Sequence, residues 1–310
     1  MEQKRRRLVL ASASLAPTLV AAGWLPTRAL AQAAPLLRKK IPSSGEEIPI
    51  IGLGTARRYE RVGTEAERAT LRETLRRFGA LGATVIDTAP VYGEAEEVVG
   101  ALVEGLGLGS KLFLATKVST GGGREAGLEQ IEASFRRLRT SRIDLIAVHN
   151  LRGTEIHLPT LRELKQAGRI RYVGITTSFD RQYADFEATM RRERLDFIQV
   201  DYAVDNRGAG ERILPLAAER GMAVMINLPF GRGRLFAAVR GKELPPWAAE
   251  IDCRTWAQFF LKFVVSHPAV TCAIPGMARP EYVADNLGAA HGRLPDAALR
   301  RRMESFIDAI

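Results

Sequence analysis

Cysteine and histidine are scarce in this 310-residue chain, with two of the first and four of the second. His149, His157, His267 and His291 form neither an H-x-H pair nor an i, i+4 pair with a nearby acid, which argues against a metal-hydrolase centre. Cys253 and Cys272 allow one disulfide by count, but one opens a helical stretch and the other lies in a strand-like one, so two separate buried thiols are expected. No G-x-G-x-x-G stands between a strand and a helix, and no Gly/Pro/Ser-rich linker splits the chain into two domains. Aromatic residues make up 7% of the chain and do not cluster with basic ones, so the net charge of +10 does not describe a nucleic-acid face. Residues 1–31 hold five basic residues against one acid, which leaves +6 for the rest, spread over helical faces.

The first 31 residues read as an export signal. A basic start (KRRRL) precedes an apolar stretch at 8–25, and Ala29-Leu30-Ala31 offers a small-residue cleavage site. At 18 residues the stretch is marginal for spanning a bilayer, and Ser12, Ser14, Pro17, Thr18 and Gly23 weaken it as an anchor. The Arg5-Arg6-Arg7 run resembles a twin-arginine signal, which passes folded proteins to the export machinery. A periplasmic mature chain follows, with 32–44 as an irregular linker, 45–310 as the folded domain, and no integral membrane association after cleavage.

Beyond residue 45 the sequence alternates. Helical periods at 65–80, 94–104, 125–138, 158–167, 180–192, 210–220, 253–266 and 280–289 separate short apolar runs. Those runs, near 50–53 and at 84–87, 112–116, 143–148, 171–175, 197–200, 223–227 and 271–274, are continuous, as suits parallel strands covered on both faces. Eight strands alternating with eight helices predict an α/β fold, a (β/α)8 TIM barrel, with an extra terminal helix at 296–308. The Gly- and Arg-rich stretch 229–246 is too long for an ordinary connection and reads as a functional loop.

In such a barrel, chemistry sits at the carboxyl ends of the strands. Those positions hold Asp87, with Tyr92 in the loop behind it, then Lys117, His149, Thr176-Thr177, Gln199, Asn227 and Gly276. A phenol with a pKa near 10 is a poor acid at neutral pH; an adjacent ammonium lowers that value, and a carboxylate keeps the ammonium charged. His149 is then placed to bind a carbonyl oxygen.

These residues resemble those of the aldo-keto reductases over roughly 45–290. The family's Asp, Tyr, Lys and His fall on Asp87 and Tyr92 in IDTAPVYG, Lys117 in ATKVS and His149 in DLIAVHN. GRIRYVGITT at 168–177 and IPGMARPEYVADNLGA at 274–289 are similar to its fifth-strand and adenosine segments. The resemblance implies reduction of a small-molecule carbonyl by hydride from NADPH, with NADH possible and Tyr92 protonating the oxygen. It implies nicotinamide contacts at Thr176, Thr177, Gln199 and Asn227. It also implies a closing loop carrying Pro229, Gly231, Arg232, Gly233 and Arg234, and an adenosine site with Asp285 and Asn286. Thr177 lacks the Asn amide that many members have there, and Asn227 stands where many stack an aromatic ring. The 2′-phosphate set falls on Gly276, Met277 and Tyr282, leaving Arg279 to supply charge. A second branch, the potassium-channel β subunits, implies an alternative: a cofactor-holding binding or sensing protein on the same barrel.

Overall fold

The chain is described from residue 35 to residue 310 in a computed structural model; the expected export signal lies outside the described residues. Eight strands form one all-parallel sheet in chain order: Leu53–Gly54 (β3), Val85–Asp87 (β4), Phe113–Val118 (β5), Ile143–His149 (β6), Ile170–Thr176 (β7), Phe197–Asp201 (β8), Ala223–Asn227 (β9) and Cys272–Ala273 (β10). The parallel bridges Ile51 to Ala273 and Gly54 to Gly276 join the last strand to the first and close the barrel. Gly54 is needed at this seam, since a Cβ there would lie 2.7 Å from the Ile274 carbonyl oxygen.

Helices follow the strands: Glu65–Ala80 (α1), Ala95–Gly105 (α2), Arg124–Arg137 (α3), Thr154–Gln166 (α4), Tyr183–Arg192 (α5) and Ile213–Glu219 (α6). A short Arg234–Ala238 (α7) precedes Trp256–Val265 (α8), Pro280–Gly288 (α9) and the terminal Ala297–Asp308 (α10). Their ends follow the chain's own signals. Thr64 and Glu67 form a reciprocal capping box on α1, a contact class that stabilises by about 1 kcal/mol. Thr255 and Asp296 cap α8 and α10, and Pro280 opens α9. Cys253 therefore precedes its helix instead of opening it; both thiols are free and buried, and burial pushes the Cys253 thiol up to about 12.

The linker expectation fails at its end. Arg38–Lys40 (β1) pairs antiparallel with Glu47–Pro49 (β2), and this hairpin closes the amino-terminal end of the barrel. Its Ile41 and Ile48 join the barrel interior with Val85, Phe113, Leu145, Tyr172 and Phe197. Polar contacts fix it: Glu46 accepts from Arg171 and from the Tyr172 hydroxyl, and Lys39 Nζ donates to the carbonyls of Val265, His267 and Val270.

Successive strand residues point to opposite faces, so each strand presents every second residue inward. The inward series begin in the apolar floor and end at the opposite mouth. Val85 leads to Asp87, Phe113 and Ala115 to Lys117, Leu145 to His149, and Tyr172 to Thr176. Phe197 leads to Gln199, and Ala223 and Met225 to Asn227.

Candidate active site

At the mouth these ends converge on a cleft of about 580 Å³. Asp87, 5% exposed, and Lys117, 1% exposed, form its innermost pair. Lys117 Nζ donates to Asp87 Oδ1 at 2.9 Å, to Oδ2 at 2.8 Å and to the Thr88 carbonyl at 2.8 Å. Burial works against the ammonium, but the Asp87 carboxylate and the Tyr92 oxygen outweigh it and hold the Lys117 pKa above its ordinary value. Lys117 lies behind the cleft wall and acts on it through its neighbours.

Tyr92 stands over this pair, with Lys117 Nζ 5.1 Å from its ring centroid. The expected lowering of the phenol does not hold. Burial is the largest influence and raises its pKa; Lys117 pulls it down, while Asp87 and Glu60 push it up again, and the net direction is upward. Tyr92 is therefore a phenol with its proton in place, as a proton donor requires. Its ring meets His149 edge to face, centroids 5.9 Å apart. Burial, with the positive charges of Lys117 and Arg152, lowers the His149 pKa to about 3. The imidazole is neutral at physiological pH, able to donate one ring N–H, and its buried Nδ1 has no partner.

Gln199 links the second half of the mouth to the first. Its Oε1 accepts from Thr176 Oγ1 at 2.9 Å, and its Nε2 donates to Asp87 Oδ1 at 2.9 Å. Thr176, Gln199, Asn227, Pro229, Arg232, Gly233 and Gly276 line the cleft with Asp87, Tyr92 and His149. Thr177, one residue beyond Thr176, faces the other way: its hydroxyl donates to Gln182 Oε1 at 2.6 Å, so it does not reach the cleft. Gly231 and Arg234 also stand off it. The Arg234 guanidinium donates to Asp205 Oδ2 at 2.6 Å instead of facing the cleft.

The 229–246 segment is folded. A 3₁₀ turn at Gly231–Gly233 leads into α7, and a second turn covers Pro246–Ile251. On α9, Asp285 accepts from Thr255 Oγ1 at 2.7 Å and from Gln258, and Asn286 is buried; Arg279, just before the helix, is exposed beside Glu281. None of these three lines the cleft. The cleft also has walls that periodicity does not mark: Arg57, Arg58 and Glu60 after β3, Asn150 after β6, and Phe179, Phe230 and Phe236. Arg58 runs past Gly276, its Cγ 3.4 Å from where a Cβ would stand. The arginine pair in GTARRYE was visible in the sequence, but nothing there places it against the strand-ten end.

The aldo/keto reductase family model matches residues 50–305. The chain belongs to the aldo/keto reductase family. It is 32% identical over 273 residues to the methylglyoxal reductase YeaE of Escherichia coli, covering 84% of this chain and 93% of that protein. Its fold is similar to that of an aldo-keto reductase from Klebsiella pneumoniae in complex with NADPH, with a TM-score of 0.74, 28% identity, and coverage of 88% and 96%. A structure from the same organism in complex with NADP and acetate matches with a TM-score of 0.70 and 27% identity over 85% and 93% of the two chains. In this reductase the eight strands are the family's (β/α)8 barrel.

Proposed function

We propose that the reductase converts small aldehydes or ketones to alcohols with NADPH, and that it works after export. The observation that carries the chemistry is the joint placement of a protonated, half-buried Tyr92 beside the Lys117–Asp87 pair and a neutral His149 in one cleft. The residues present suit a nicotinamide group, because Thr176, Gln199 and Asn227 line the cleft with hydroxyl and amide groups. When bound, NADPH supplies the reducing hydrogen and its electron pair to the carbonyl carbon. His149 donates its ring N–H to the carbonyl oxygen and orients it. Tyr92 gives its hydroxyl proton to the same oxygen, and Lys117 stabilises the phenolate left behind. Asp87 keeps Lys117 charged through that step. Phe179, Phe230 and Phe236 give the cleft an apolar wall that limits water at the reacting carbon.

The relative's name makes methylglyoxal the first substrate to test. Mixing purified protein, NADPH and methylglyoxal should lower the nucleotide absorbance. Tyr92→Phe should reduce kcat by about 10²- to 10⁴-fold while leaving NADPH affinity within about twofold. A Tyr92→Phe enzyme with wild-type kcat would overturn the assignment.

The export reading rests on the basic run and apolar stretch at 4–25. A reporter fused behind residues 1–31 should reach the periplasm, and Arg5, Arg6 and Arg7 all changed to Lys should stop it. Retention of the wild-type fusion in the cytoplasm would end that reading.

A further inference from the structure

Asn227 closes the inward series of β9 at the cleft mouth. Its Nδ2 donates to the Thr177 carbonyl at 3.1 Å. A carbonyl can only accept, so this contact fixes the amide orientation and turns Oδ1 the other way. Oδ1 is buried and has no donor. Two side-chain donors at other strand ends of the cleft are committed elsewhere: Gln199 Nε2 is taken by Asp87 Oδ1 and Met225 Sδ, and Thr176 Oγ1 donates to Gln199 Oε1. A buried acceptor left without a donor is costly, so this atom calls for an N–H or O–H brought by a ligand.

Two further observations narrow the ligand. Thr177 carries no amide and points its hydroxyl at Gln182, so position 177 gives the cleft no carboxamide partner. Asn227, reaching across to the Thr177 backbone, puts an amide at that end of the floor from another strand.

Resting on the NADPH reading above, we propose that Asn227 Oδ1 accepts the NH₂ of the nicotinamide carboxamide, making Asn227 a residue that recognises the cofactor ring. The requirement is for a donor on the ring substituent. The 3-acetylpyridine analogue of NADPH keeps the carbonyl but has a methyl group in place of the NH₂, so it leaves Oδ1 unpaired.

The test is titration of the purified protein with NADPH and with its 3-acetylpyridine analogue, followed by quenching of tryptophan fluorescence. The wild-type protein should bind NADPH about tenfold more tightly than the analogue, as expected for one neutral hydrogen bond to a buried acceptor. In Asn227→Leu and in Asn227→Ala that preference should fall to near unity, with NADPH losing affinity and the analogue holding its own. Equal wild-type affinities for the two nucleotides overturn the assignment without recourse to any variant. A preference that persists in both variants overturns it as well, and in both cases the cofactor reading stands. No binding of either nucleotide by the wild-type protein overturns both readings together.

Discussion

Asp87 Oδ1 accepts from Lys117 Nζ and from Gln199 Nε2, each at 2.9 Å, so one carboxylate oxygen joins the second and third strands of the barrel to the sixth. The carboxylate and its amide donor differ in what their loss leaves behind. Asp87→Asn strands a buried ammonium without a counter-ion, a class of change that costs about 3–5 kcal/mol. Gln199→Leu removes a hydrogen bond to a carboxylate that keeps its cation, and with it the acceptor of the Thr176 hydroxyl, at about 1–3 kcal/mol. Urea unfolding of the two variants should rank them in that order. Equal losses would mean that Gln199, and not the ion pair, holds the mouth together.

His149 gives a pH dependence with a definite sign. Its pKa is about 3 in the folded chain against 6.5 for the free group, so the folded state binds fewer protons than the unfolded one between those values. The stability this environment contributes is complete above pH 6.5 and is lost as pH falls toward 3. His267, lowered to about 4, and His291, also lowered, act in the same direction. The unfolding free energy should therefore fall on acidification, and His149→Gln should flatten part of that fall. An identical slope in the variant would show that the imidazole is not buried as described. The same displacement means that kcat/KM should show no step from His149 near pH 6.5.

Lys117 is a positioning residue in the free protein, and its own variant separates charge from packing. Lys117→Met keeps the stem volume but leaves Asp87 without its cation and the Tyr92 phenolate without its stabiliser. The rate of carbonyl reduction should fall by about 10²-fold or more, while KM for the carbonyl stays nearly unchanged. The activity that remains should also respond to pH differently, because phenolate formation now lacks a neighbouring positive charge. A variant that altered KM alone would place Lys117 in binding and not in proton transfer.

The tetrad was legible because each strand residue in it is the last inward one of a short apolar run, and Tyr92 follows within five residues of the first. That pattern needs only a period of two and a direction. The same period explains why Thr176 faces the cleft and Thr177 does not, although the two adjacent threonines looked equivalent as a motif. The hairpin was not legible: Arg38–Lys40 is three charged residues long, and its partner is recognised only when Ile41 and Ile48 are seen to plug the barrel floor. Arg57, Arg58 and Phe179 lie on loops without a repeating pattern, and nothing local tells that their side chains turn toward the mouth. The direction of the Tyr92 shift was missed because it is a balance between burial and Lys117, and burial depth is not written in the sequence.

Arg234 was expected on a loop closing over the cleft, but its guanidinium holds Asp205 instead. The turn before it is left-handed at Gly231, Arg232 and Gly233, with φ of 54°, 57° and 94°. A Cβ on Gly231 would lie 2.8 Å from the Arg234 guanidinium, so the turn is folded directly under that side chain. The arrangement places Arg232 on the cleft wall. Arg234 is 58% exposed, so breaking the pair should change global stability by no more than about 1 kcal/mol. Its effect should appear in kinetics: Arg234→Ala and Asp205→Asn should each speed NADPH release by about threefold to tenfold in stopped-flow fluorescence, and the double variant should release it no faster than either alone. Gly231→Ala, which combines a strained φ with that collision, should release nucleotide at a similar rate. Unchanged release from both Arg234→Ala and Asp205→Asn would show that the turn holds its shape without the ion pair, leaving Arg232 and the cleft aromatics to set the residence time.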